Sequence, residues 1–80
     1  MLTELTEYLV KNLVKNPDAV SVKQFNDDEE IITIQVLVDS DDMGAIIGKD
    51  GMVSTAIRTI VQASAFMQKM PKVKIDIDSF

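Results

Sequence analysis

Eighty residues, 46% of them apolar, suffice for one small domain, and the chain is acidic, with 13 carboxylates against 8 basic side chains and a net charge of −5. A chain this short buries only about 60% of its unfolded surface, so modest stability and a gain from self-association are expected. The absence of cysteine and histidine excludes thiol nucleophiles, imidazole bases, disulfides and the usual zinc sites, and no cofactor is expected. Glu4 and Glu7 stand where a secretory signal would be basic, and no apolar run approaches membrane-spanning length. A cytoplasmic protein without membrane insertion is therefore expected.

In chain order, Leu2, Leu5, Leu9 and Leu13, with Val10 and Val14, recur at helical spacing. Glu4 and Glu7 at the start and Lys11 and Lys15 near the end complement the helix dipole, and Asn16-Pro17 is expected to stop the helix. Tyr8 falls off the apolar stripe, where it either shields its neighbours or offers a ring for stacking. Ala19 to Phe25 reads as a short strand with Val20 and Val22 on one face, and the charged run from Asn26 to Glu30 as a solvated hairpin connection. Glu30 to Val38 is the strongest strand. Ile32, Ile34, Val36 and Val38 point to the core, Thr33 and Gln35 outward, and Ile31 and Leu37 add the apolar continuity of a central strand.

Asp39-Ser40-Asp41-Asp42 lacks the glycine and distal glutamate of a calcium loop, so Ser40 or Asp41 reads as the cap of a short helix from Asp42 to Ile47. Gly44 and Gly48, four apart, suggest tight packing. From Met52 to Met70 a helix places Val53, Ala56, Ile57, Ile60, Ala63 and Met67 on one face and Ser54, Arg58, Gln62 and Lys69 on the other. Val61 and Ala65, at the border of the polar face, are the candidates for a subunit contact. Pro71 is expected to end this helix, after which Lys72 to Asp78 alternates with Val73, Ile75 and Ile77 inward. Residues 1–80 thus read as one domain of helix, strand, strand, helix, helix, strand. This is an α/β (α+β) two-layer fold with three helices on one face of a three-stranded mixed sheet, the last strand arriving by a helical crossover, parallel to the central one.

Between the two later helices lies Ile46-Ile47-Gly48-Lys49-Asp50-Gly51. Two glycines three apart arise by chance in about one chain in three of this length, so the context carries the meaning. A Gly-x-x-Gly turn opening directly into a helix presents main-chain amides, reinforced by the helix dipole, to an anion. Glycine permits positive φ and removes the Cβ that would hold a sugar-phosphate backbone away. The alternative is that the glycines only form a tight corner. Charge opposes nucleic acid overall, but its distribution matters. Residues 1–42 hold three lysines against ten acids, whereas residues 43–80, with the loop, hold Lys49, Arg58, Lys69, Lys72 and Lys74 against Asp50, Asp76 and Asp78.

The element order with Ile-Ile-Gly-Lys-Asp-Gly between the later helices resembles a type II KH domain over essentially the whole chain. Asn16-Pro17-Asp18, the run from Asp42 to Gly51, and Ala56-Ile57-Arg58-Thr59 look more narrowly like the small bacterial single-KH proteins of the KhpA (YlqC) family. The resemblance implies single-stranded RNA as ligand, with Gly48, Lys49, Asp50 and Gly51 gripping about four nucleotides of backbone. It implies Ile46 and Ile47 in an apolar groove for bases and Arg58 on a phosphate. It also implies a homodimer or a pairing with a larger Jag-type KH protein, in a role as RNA chaperone or post-transcriptional regulator linked to cell division and the envelope. Two departures stand out: Asp50 occupies a loop position that relatives commonly fill with an uncharged or basic residue, and Met52 and Thr55 stand where they often carry basic groups. The competing reading is a protein-interaction module on the same scaffold. Catalysis is not expected, because carboxylates are the only acid-base groups and none has an evident buried partner.

Overall fold

The computed structural model describes residues 2–28, 30–70 and 72–80, the side chains of Asp27 and Asp28 also lying outside the described set. Strict alternation makes the centre of the molecule. Strand β2 (Ile31–Val38) buries Ile32, Ile34, Val36 and Val38 against the helices. It pairs antiparallel with β1 (Ser21–Asp28) and parallel with β3 (Lys72–Ser79), giving a three-stranded sheet in the order β1-β2-β3. Helices α1 (Leu2–Lys11), α2 (Met43–Ile47) and α3 (Met52–Met67) complete the expected α-β-β-α-α-β order. The core joins Leu2 and Val10 of α1, Ile46 of α2, and Ile57, Val61 and Ala65 of α3 to the inner faces of β2 and β3.

Helix α1 is shorter than its apolar periodicity suggests. It ends at Lys11, where both the main-chain amide and the side-chain Nδ2 of Asn12 donate to the Tyr8 carbonyl at 3.2 and 2.7 Å. Further on, the amides of Lys15 and Asn16 donate to the buried carboxylate of Asp42, each at 3.1 Å, and Asn16 Nδ2 adds a third bond at 3.3 Å. Asp42 is therefore a tether between the two halves of the chain. Neither Ser40 nor Asp41 caps α2, whose N-cap position is Asp42 without a side-chain capping bond; instead Asp39 caps the preceding turn Ser40–Asp42, accepting from the Asp41 amide at 2.9 Å.

Strand β1 runs past Phe25 to Asp28, with a bulge before Asp28 pairs with Ile31. Of the expected connection, the side chains of Asp27 and Asp28 and the whole of Glu29 lie outside the described set. Gly44 has nothing within 4 Å of an added Cβ, so it serves no close approach.

Helix α3 differs most from its sequence reading. Its buried row is Ser54, Ile57, Val61 and Ala65, turned roughly 100° from the expected row. Val61 and Ala65, expected at a subunit contact, are both 0% exposed in the core of the chain itself, while Ile60, Phe66 and Met67 face outward. Ser54 loses nothing by burial, because its hydroxyl donates to the Gly51 carbonyl at 3.0 Å. The helix stops at Met67; Pro71, expected to end it, lies outside the described residues. Lys69 takes positive φ (56°), its amide donates to the Phe66 carbonyl and that of Met70 to Ala65, the paired bonds of a Schellman ending.

Candidate nucleic-acid interface

The Gly-x-x-Gly turn follows from what its backbone requires. Gly48 (φ 74°, ψ 174°) occupies a region open essentially to glycine alone, and Asp50 (57°, 25°) and Gly51 (74°, 14°) are left-handed. A Cβ on Gly48 would meet Val53 Cγ2 at 2.3 Å, whereas one on Gly51 would meet only Ser54 Oγ, at 3.9 Å. The amides of Gly48, Gly51 and Met52 are already used, by the carbonyls of Gly44, Gly48 and Lys49. Among the described residues the amides of Lys49 and Asp50 find no acceptor, so these two adjacent donors are the part of the turn left open to an anion, with Lys49 exposed beside them. Such successive amides form a small anion-binding concavity.

Two grooves flank α3 beyond this turn. The first, of about 620 Å³, runs between α3 and the free edge of β3 and is lined by Arg58, Thr59 and Gln62, by Lys72 to Asp76, and by Ile31. The Lys72 amide donates to Glu30, toward β2. Successive strand amides point to opposite sides, so that of Val73 faces the groove, where Gln62 Oε1 accepts it at 3.3 Å. By the same alternation the Ile75 and Ile77 amides face the free edge. The groove thus offers an apolar wall (Val73, Ile75), main-chain hydrogen-bonding groups, and three cations, Arg58, Lys72 and Lys74. At 1.5 Å per residue, Arg58 lies about 9 Å along the helix from Met52 at the turn.

The second groove, of about 470 Å³, lies on the opposite flank between α1 and α3. Tyr8, Leu9, Asn12 and Leu13 form one wall, and Met52, Val53, Ala56, Ile57 and Ile60 the other. Tyr8 and Met52 are about two-thirds exposed, at 66% and 68%.

The expected site residues are only partly brought together. Gly48, Lys49, Asp50 and Gly51 form the turn, and Arg58 lines the first groove. Ile47 is exposed but lines neither groove, and Ile46 is wholly buried, so Ile46 supports the turn from the core and is no surface for bases. Gln62, Lys72 and Lys74 line the same groove as Arg58 but were not among the expected site residues. Their signal in sequence was only that Lys72 and Lys74 begin the strand following the helix, which does not reveal that this strand is an open edge facing α3. Among the described residues no helix is long and apolar enough to cross a membrane, and no three His, Cys, Asp or Glu side chains are grouped to hold a metal ion.

Comparison with known proteins fits this arrangement. The family model described as "KhpA/KhpB, KH domain" matches residues 3–77. Proteins named "RNA-binding protein KhpA" from Caldanaerobacter subterraneus and Clostridium perfringens are 46% and 40% identical, over 82% and 95% of this chain and 87% and 99% of theirs. The one from Halalkalibacterium halodurans is 41% identical over 91% of this chain and 93% of its own. Among solved structures, Era in complex with MgGDPNP and nucleotides 1506–1542 of 16S ribosomal RNA aligns with a TM-score of 0.70 at 16% identity. That alignment covers 99% of this chain and 30% of the Era chain, a likeness of fold alone.

Proposed function

Because this chain belongs to the KhpA/KhpB family of KH domains, we propose that it binds single-stranded RNA without catalysis, acting as an RNA chaperone or post-transcriptional regulator linked to cell division and the envelope. The observation that carries the binding reading is the pair of unused amides at Lys49 and Asp50, at the head of a groove walled by an open strand edge. A phosphate sits on the two amides, and Arg58 and Lys72 meet the following phosphates. Bases lie against Val73 and Ile75, whose strand edge supplies donors and acceptors. The relatives named as RNA-binding proteins support the same ligand.

Asp50 supplies the test. A carboxylate about 4 Å from a phosphate costs about 1 kcal/mol in a water-like dielectric, and asparagine tolerates the same left-handed backbone. Asp50→Asn is expected to tighten binding of a short unstructured RNA about fivefold in fluorescence anisotropy, and Arg58→Ala to weaken it. The clamp reading fails if no RNA binds at low salt, or if neither substitution alters affinity.

The apolar groove between α1 and α3 favours a second, compatible role as an interaction surface, for a second copy or a Jag-type KH protein. This surface replaces Val61 and Ala65 as the self-association candidate. Ile60→Asp, at an exposed position, should leave the fold intact and shift sedimentation toward the monomer. Unchanged sedimentation of a parent that does self-associate would remove this surface.

A further inference from the structure

The groove beside β3 does not stop at the strand edge. It is lined by side chains from both faces of β3: Val73 and Ile75 from the helix-covered face, Lys72 and Lys74 from the other. Ile31, which also lines it, is paired with Lys72 and lies on that outer face. There the pairing register sets Lys74, Thr33 and Phe25 in one row across the three strands. Phe25 is 44% exposed, an aromatic ring on a sheet surface that no helix covers. At about 4.8 Å between strands, it lies roughly 10 Å from β3, within reach of the nucleotides next to those in the groove. Lys23, two residues along β1 on the same face, flanks the ring.

Resting on the RNA-binding reading above, we infer that the strand leaves the groove over β3 and continues across the outer sheet face, where a base stacks on Phe25 and Lys74 and Lys23 meet phosphates. Charge confines the path. Asp76 stands at the β3 end of the next row, across Gln35 from Lys23 on β1, so the strand crosses from Lys74 over the buried Thr33 toward Phe25 and Lys23, away from that carboxylate. Stacking on an exposed ring is tolerant of sequence, because every base has a π-face. The extension therefore adds affinity for longer RNA without adding a motif.

The test compares an unstructured CA-repeat tetranucleotide with a decanucleotide of the same repeat. Ten nucleotides offer about seven registers for a four-nucleotide clamp, so length alone raises affinity up to about sevenfold. A stacked base adds about another tenfold. The parent is thus expected to prefer the decanucleotide by about seventyfold, and Phe25→Ala to reduce this to about sevenfold while binding the tetranucleotide as the parent does. Lys23→Ala should lower the salt slope by about 0.7 for the decanucleotide alone. A decanucleotide carrying 4-thiouridine at either end should crosslink to the peptide containing Phe25, a readout independent of how the alanine variant folds. A parent gain no greater than about sevenfold, a full gain in Phe25→Ala, or crosslinks confined to α1 and α3 would each overturn the outer-face path. If even the tetranucleotide fails to bind, the RNA-binding reading falls first.

Discussion

A single carboxylate, Asp42, holds the amino-terminal helix to the half of the chain that carries the turn. It is 2% exposed and accepts from two main-chain amides and one side-chain amide of Lys15 and Asn16. Removing it leaves those donors without their acceptor. Asp42→Ala is expected to cost about 2–4 kcal/mol in urea unfolding, and Asp42→Asn about half as much, since one oxygen survives. The two loop glycines are distinguished by the same reasoning. Gly48 needs both its backbone region and the empty space before Val53, so Gly48→Ala should cost about 2–4 kcal/mol. Gly51 needs only its left-handed φ, and Gly51→Ala should cost about 1 kcal/mol. Equal midpoint shifts for the two variants would refute this difference. The requirement for glycine at both positions was legible in the sequence; their unequal reasons were not, because Val53 meets Gly48 only after α3 is in place.

At the scale of elements, α3 is informative at both its end and its phase. The Schellman ending places Lys69 at positive φ, where a side chain costs about 1 kcal/mol relative to glycine. Lys69→Gly is expected to raise the melting temperature by about 4–8 °C, and a fall would show that the lysine side chain holds more than its backbone costs. The phase explains why the subunit contact was misplaced. Apolar residues cover more than half of the circumference, so periodicity establishes the helix but not the direction it faces. The inner surface of the sheet decides, and it selects Ile57, Val61 and Ala65. Strands β2 and β3 carried no such ambiguity, since alternation allows only two faces and only one of them is apolar. Val61→Asp buries a charge and is expected to unfold the chain, costing more than about 3 kcal/mol. Ile60→Asp, one position away and exposed, should leave circular dichroism unchanged and lower melting only by what the lost self-association contributed.

Over the whole molecule, the element order and the parallel crossover were readable because each change of hydrophobic period coincides with a glycine, a proline or a polar cluster. The groove was not readable, because it exists only where the free edge of β3 meets α3, a tertiary juxtaposition of residues from Ile31 to Asp76. The same juxtaposition bears on how an acidic chain holds an anionic ligand. The net charge of −5 repels RNA at long range, so association depends on cations gathered at the groove and on two uncharged amides that salt does not compete away. Lys49, Arg58 and Lys72 can meet the three internucleotide phosphates of a tetranucleotide, and each neutralised phosphate of a single strand contributes about −0.7 to the slope of log affinity against log salt. A slope of about −1.5 to −2 is expected for a tetranucleotide. A slope near zero would mean that stacking and hydrogen bonds alone hold the ligand, and one steeper than about −4 would require basic surface that the described residues do not gather around the groove. Replacing Lys72 should reduce the slope by about 0.7 and weaken all sequences alike. Replacing Gln62, which touches the strand edge rather than any charge, should leave the slope unchanged.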